Sequence, residues 1–236
     1  MSKTGKVKPF ITKCAVTVMM LGVFFIAMFQ VNKRQIADWV FARAVDQRLS
    51  MQASIERVDG IHVFICGAGA PMPSLNAGPC TAVIAGDHAF VFDVGSGSPR
   101  NLGMMTFPME ALDGVFLTHF HSDHIDSIGE LLLLAWINGG RKAPLPIYGP
   151  VGVETVVKGF NAAYRLDRGY RTAHHGPKIA NPLGFGGVPV LIEPGLVFES
   201  KGVKVSALSV SHHPVEPALG YRIDYKGRSG TISGDT

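Results

Sequence analysis

Thr118-His119-Phe120-His121-Ser122-Asp123-His124 packs three imidazoles and a carboxylate into seven residues. That density of nitrogen and oxygen donors suits a pair of divalent metal ions. Val115-Phe116-Leu117-Thr118 reads as the apolar strand that delivers the cluster. Side chains at i and i+2 share a face at a strand end, so His119 and His121 can reach one ion. Asp123 and His124 fall where the chain turns, and can reach a second. Two-metal hydrolases hold their ions about 3.5–4 Å apart and lower the pKa of a bound water to about 7. The segment therefore points to hydrolysis.

Short apolar runs surround it. Ile61 to Cys66, Thr81 to Ala85 and Ala89 to Asp93 are strand candidates, with Gly86-Asp87 as a turn. Ile125 to Ile137 reads as one helix that can bury Leu131, Leu132, Leu134 and Ala135. Val203 to Val210 partly alternates, as a half-exposed strand does. Tyr221 to Tyr225 and Ser229 to Ile232 form a hairpin around Lys226-Gly227-Arg228. Strands, a metal loop, helices and further strands imply a layered α/β domain. Gly67-Ala68-Gly69 lacks the third glycine of a dinucleotide loop and is expected to be a tight turn lining a cleft.

The chain ahead of these runs is of another kind. Cys14 to Val31 is uncharged and long enough to cross a bilayer as a helix. Lys3, Lys6, Lys8 and Lys13 precede it, and the bulky Ile26-Ala27-Met28-Phe29 is a poor cleavage site. A retained anchor is expected ahead of a cleaved signal. The basic tail favours a domain on the extracytoplasmic (periplasmic) side, although Lys33, Arg34, Arg43 and Arg48 beyond the span weaken that bias. Residues 35–58 read as a helical linker, with a stripe of Ile36, Trp39, Val40 and Leu49. The expected division is 1–34 membrane segment, 35–58 linker and 59–236 hydrolase domain.

Six of the 22 basic residues lie in the first 34 positions, where there is no acid, leaving 16 against 18 acidic residues. The remainder is mildly acidic and lacks the broad basic face of a nucleic-acid binder. The cysteines, Cys14, Cys66 and Cys80, form no C-x-x-C pair. Cys66 and Cys80 could bridge in an oxidising compartment; two buried thiols are the expectation.

Four blocks carry a family resemblance. They are Cys66-Gly67-Ala68-Gly69-Ala70-Pro71, Phe92-Asp93-Val94-Gly95, the histidine cluster, and Ser211-His212-His213-Pro214 through Gly220-Tyr221-Arg222 to Ser233-Gly234-Asp235-Thr236. With them the chain resembles the metallo-β-lactamase superfamily, in the branch of ribonuclease Z and arylsulfatase-like enzymes. The resemblance implies a four-layer αβ/βα sandwich. It implies two divalent ions, zinc being the expected metal. His119, His121 and His212 would hold the first ion, Asp123 and His124 the second, and Asp235 would bridge both. His212 is taken ahead of the adjacent His213. Asp93 would back a ligand imidazole, and Asp123 would also take the proton from the nucleophile. Members of the family continue past the G-D-T motif, to a later histidine and further strands. The resemblance therefore implies that this chain is a fragment, or a truncated product of weak or no activity.

The implied reaction is attack by a zinc-bound hydroxide on a phosphodiester, sulfate or other small anionic ester. Arg165, Arg168 and Arg171 in Tyr164 to Pro177 could contact the anion, and His174 and His175 could line its pocket; a solvated basic loop is the competing reading. Nucleic acid, as the 3′ end of tRNA, is the alternative substrate. A membrane-tethered, non-catalytic metal-binding protein is the alternative of another class.

Overall fold

The computed structural model describes residues 7–53, 58–72 and 75–236. Its chain divides into two compact units, Met1–Asp46 and Gln47–Thr236. The first unit is built on helix α1, Val7–Ala53, which runs without a break through the boundary expected at residue 34. Within it, Val16–Ala44 is long and apolar enough to cross a membrane. Val18, Phe24, Phe25 and Val31 are all exposed, as are Ile36, Trp39 and Val40 of the expected stripe. The side chain of Leu49, together with Lys3, Lys6 and residues 54–57, lies outside the described residues.

The second unit holds ten strands among its described residues. The first six are β1 (Ile61–Gly67), β2 (Cys80–Ala85), β3 (His88–Phe92), β4 (Leu112–Phe116), β5 (Leu145–Gly149) and β6 (Gly187–Leu191), and they form one sheet in that order. β1, β2 and β3 pair antiparallel; β3 to β6 pair parallel. β7 (Gly195–Ser200), β8 (Val203–His212), β9 (Val215–Tyr225) and β10 (Arg228–Ile232) form a second, antiparallel sheet in the order β10-β9-β8-β7. The helices of this unit are α2 (Ser98–Met104), α3 (Ser122–Ile125), α4 (Ile128–Ile137), α5 (Val153–Ala163) and α6 (Arg165–His175).

Period-two alternation sorts the strand side chains into two cores. On β3, Ala89 and Val91 face the helices, where they join Val115, Leu131, Ala135 and Val157. Phe90 and Phe92 face the second sheet and join Phe116, Val203, Val205, Tyr221 and Ile223. Phe116 stacks on Tyr148 at 4.4 Å and meets Tyr221 edge-on at 5.4 Å. Each fully buried aromatic side chain contributes roughly 1.5–3 kcal/mol over an exposed one. The described residues thus supply helix, sheet and sheet. Leu208, on the outer face of the second sheet, stays exposed.

Three local expectations need correction. The strand expected to run to Thr118 ends at Phe116, so the histidines follow in an extended segment rather than sitting on the strand. The helix expected over Ile125 to Ile137 is two helices, α3 and α4. Between them the chain is held by Val94: its N–H donates to the His124 carbonyl (2.7 Å), and its carbonyl accepts from Ser127 N–H (3.0 Å). Cys66 and Cys80 are buried as expected, but they form a disulfide across β1 and β2 instead of two free thiols. They are brought together by the pairing of Gly67 with Cys80. The bond closes a loop with a sequence separation of 14. A loop of that length gains about 3 kcal/mol from cross-linking. Replacing both cysteines by serine is therefore expected to cost about 3 kcal/mol, read as a lower urea midpoint, with a steeper slope because the unfolded chain is less compact.

Candidate metal centre

β3 and β4 run parallel, with Phe92 beside Phe116, so the residues that follow them emerge side by side at their carboxyl ends. Open α/β sheets place ligands at that edge. Asp93 leaves β3 with φ 56°, a left-handed conformation that an aspartate tolerates better than most side chains. The turn aims its carboxylate back at the neighbouring segment. Asp93 Oδ1 accepts from Thr118 N–H at 2.8 Å. Asp93 Oδ2 accepts from Thr118 Oγ1 at 2.7 Å and lies 2.8 Å from His124 Nδ1. A carboxylate has no proton to give, so His124 carries its proton on Nδ1 and turns Nε2 away, toward the site.

His124 Nε2 is buried and has no hydrogen-bond partner among the described residues. Asp235 Oδ2 lies 3.4 Å from it and Asp123 Oδ2 3.9 Å from it. The other group forms alongside. His119, His121, His212 and Asp235 bring one ligand atom each to within 4.8 Å of one another. His119 Nε2 is 2.9 Å from His121 Nδ1, and His212 Nε2 is 3.4 Å from the same nitrogen. His212 ends β8 and turns inward, while His213 beside it is exposed. The six expected ligand positions therefore meet at one place, and an orphaned buried imidazole nitrogen facing two carboxylates fits a divalent cation.

The two sheets assemble this place together. The histidine cluster follows the first sheet. His212 and Asp235 come from the second, which is pinned to the first by Tyr221 Oη donating to the Leu117 carbonyl at 2.6 Å. Leu219 N–H donates to the Thr118 carbonyl at 2.9 Å. A cavity of about 360 Å³ reaches His124, Asp93 and Asp235, with Gly67 and Pro79 on its rim and Ile65, Ile223 and Ile232 on its apolar wall.

Burial, reinforced by the neighbouring His124 and His121, pushes His119 down to about 4. Its ring is thus neutral, with a lone pair to offer, across the physiological range. Burial also pushes His124 down, but the Asp93 carboxylate with which it pairs, and Asp235 and Asp123 beyond it, outweigh that and raise it overall. The sign for His119 is definite. Its folded pKa lies below its unfolded value, so the unfolded chain binds the extra proton between about pH 6.5 and 4, and stability falls with acid in that window. The metal-free protein and its His119→Gln variant are expected to diverge there, the variant losing less stability per pH unit in denaturant titrations.

The substrate residues expected at Arg171, His174 and His175 lie on α6, which excludes the competing reading of a solvated loop. Arg171 Nε donates to Asp167 Oδ2 at 2.7 Å, and the rings of His174 and His175 stack at 4.7 Å. None of the three belongs to the cluster of ligands. Arg165 and Arg168 are exposed, and Arg168 sits over the ring of Phe185 at 5.6 Å. Sequence reasoning gave no role to Thr118. The only available signal was a hydroxyl beside the first histidine, because its partner Asp93 is 25 residues away.

Residues 74–236 match the family model described as "Metallo-beta-lactamase superfamily". Ribonuclease Z of Mycobacterium sp. (strain KMS) is 36% identical over 181 residues, covering 75% of this chain and 61% of that protein. Ribonuclease Z of Mycobacterium avium (strain 104) is 37% identical over 180 residues, covering 75% and 63%. The chain thus spans under two thirds of the length of these relatives. Among solved structures, human tRNase Z, short form, superposes with a TM-score of 0.58 at 23% identity, over 73% of this chain and 68% of that one. The metallo-beta-lactamase fold protein YhfI from Bacillus subtilis gives 0.55 at 22%, over 75% and 64%. The family match runs through Asp93 and all six residues that converge on the site, and it places this chain in the metallo-beta-lactamase superfamily.

Proposed function

We propose that this chain carries the active site of a metal-dependent hydrolase of anionic esters, with a phosphodiester as the foremost class. The observation that supports it most is the convergence of His119, His121, His212 and Asp235 beside the buried, unpartnered Nε2 of His124. His119, His121 and His212 would hold one ion, Asp123 and His124 the other, and Asp235 would serve both. When bound, such a pair supplies activation of water near neutral pH and neutralisation of charge on the ester oxygens. Zinc is the metal that suits this mixed imidazole and carboxylate set.

The chain's own groups do the rest. Asp93 holds His124 in one tautomer and orientation. Asp123, only partly exposed beside His124, is placed to take the proton from the attacking water.

A small anionic ester, a phosphodiester or a sulfate as in arylsulfatase-like enzymes, is our first reading of the substrate. It rests on α1, read as a membrane anchor, and on the Cys66–Cys80 disulfide, which suits an oxidising compartment. The disulfide and the basic tail ahead of the span favour a domain on the extracytoplasmic side. We assign residues 1–34 to the membrane segment, 35–58 to the linker and 59–236 to the hydrolase domain. The second reading is RNA, cut near the 3′ end of tRNA. It draws on the relatives named Ribonuclease Z and on the exposed Arg165 and Arg168 of α6. The direct test is metal content together with turnover of an aryl phosphodiester, an aryl sulfate and a precursor tRNA with a 3′ trailer. Two ions per chain with turnover of a small ester support the first reading. Cleavage of the trailer alone moves the assignment to RNA. Bound metal with no turnover of any of the three, in a chain of the relatives' full length, indicates a tethered metal-binding protein.

A further inference from the structure

Thr118 contacts three parts of the site at once. Its Oγ1 donates to Asp93 Oδ2 at 2.7 Å and lies 2.9 Å from His119 Nδ1. A hydroxyl has one proton, and a carboxylate can only accept. That proton is committed to Asp93, so Oγ1 must accept from His119, and His119 must carry its own proton on Nδ1. The lone pair then falls on Nε2. The other side of the ring is compatible with this: His119 Nε2 lies 2.9 Å from His121 Nδ1, and an unprotonated Nε2 accepts there when metal-free His121 carries its proton on Nδ1. The methyl group of Thr118 lies on the side of Gly234. A Cβ built on Gly234, next to the ligand Asp235, would lie 3.1 Å from Thr118 Cγ2. Gly234 itself has φ 66°.

We propose that Thr118 is a positioning residue that fixes the tautomer and orientation of His119. Through it, Asp93 governs both halves of the centre: His124 directly and His119 by way of the Thr118 hydroxyl. A single buried carboxylate then sets which nitrogen faces the metal on each half. This inference rests on the metal-binding reading above only for its second readout. Partners of this kind, one step behind the ligands, change metal affinity by about 10- to 100-fold when removed.

Thr118→Ser keeps the hydroxyl and removes the methyl; Thr118→Val keeps the branched shape and removes the hydroxyl. Nitrogen-15 NMR of the metal-free protein reads the tautomer. Wild type and Thr118→Ser are expected to hold His119 as the Nδ1–H form, and Thr118→Val to give a mixture. Titration with zinc chloride against a chelator is expected to show about 10- to 100-fold weaker binding of one ion in Thr118→Val, with Thr118→Ser within about threefold of wild type. The second ion should be little changed, because His124 keeps Asp93. A wild-type His119 protonated on Nε2 overturns the proposal, whether or not the valine variant folds. So does a serine variant as impaired as the valine one. If wild type takes up no zinc, the metal-binding reading fails, and the tautomer measurement still judges Thr118.

Discussion

His121→Ala is expected to abolish turnover while leaving the fold intact. His121 is exposed and caps only the short α3, so its side chain adds little to packing. Its Nδ1 nonetheless lies against both His119 Nε2 and His212 Nε2, at 2.9 and 3.4 Å, at the centre of the first ligand group. A metal contributes several kcal/mol of charge stabilisation, which corresponds to a fall on the order of 10³-fold in kcat/KM once it is lost. Metal analysis should show one ion fewer per chain, and the thermal midpoint of the metal-free variant should match that of metal-free wild type. Turnover within tenfold of wild type would remove the catalytic assignment.

Gly95→Ala is expected to lower stability markedly for a small change in mass. A Cβ at Gly95 would sit 2.3 Å from the Asp123 carbonyl oxygen and 2.4 Å from the Gly78 carbonyl carbon. Both are backbone atoms, so neither can swing aside as a flexible side chain does. Overpacking of this kind costs about 1–3 kcal/mol and occasionally more. For a domain of this size each kcal/mol lowers Tm by about 2–4 °C. The displaced carbonyl belongs to Asp123, so weaker metal binding should accompany the lower Tm. Gly103→Ala in α2 is the control. A Cβ there meets nothing within 4 Å, and helical alanine is favoured over glycine by about 0.5–1 kcal/mol. Equal behaviour of the two variants would show that the close approach at Gly95 carries no weight.

The strands that alternate were legible. Ala89 to Phe92 divides its side chains between two cores as a period of two requires, and the expected hairpin forms, with its turn shortened to Lys226-Gly227 because Arg228 already pairs with Tyr225. β5 and β6 were not read, because Pro146 and Pro189 interrupt them and proline is a breaking signal for a strand. The break between α3 and α4 was hidden for another reason. It is imposed by Val94, about 30 residues away, which takes the backbone groups that would have continued the helix. α6 was not read as a helix, since most of its residues are polar or charged. The ligand cluster was legible because four of its six ligands are local to a single heptapeptide, and His212 and Asp235 came from the family resemblance. Thr118 was not, because only the folded chain shows where its one hydroxyl proton goes.

The site draws His119, His121, Asp123 and His124 from one sheet's edge and His212 and Asp235 from the other's. An ion held by both sets can bind fully only when the two sheets are docked, so occupancy and docking are a single linked equilibrium. Free metal at 100 times its dissociation constant would add about 2.7 kcal/mol to that docking. The cation supply of the surrounding compartment would then govern the lifetime of the folded chain as well as its chemistry.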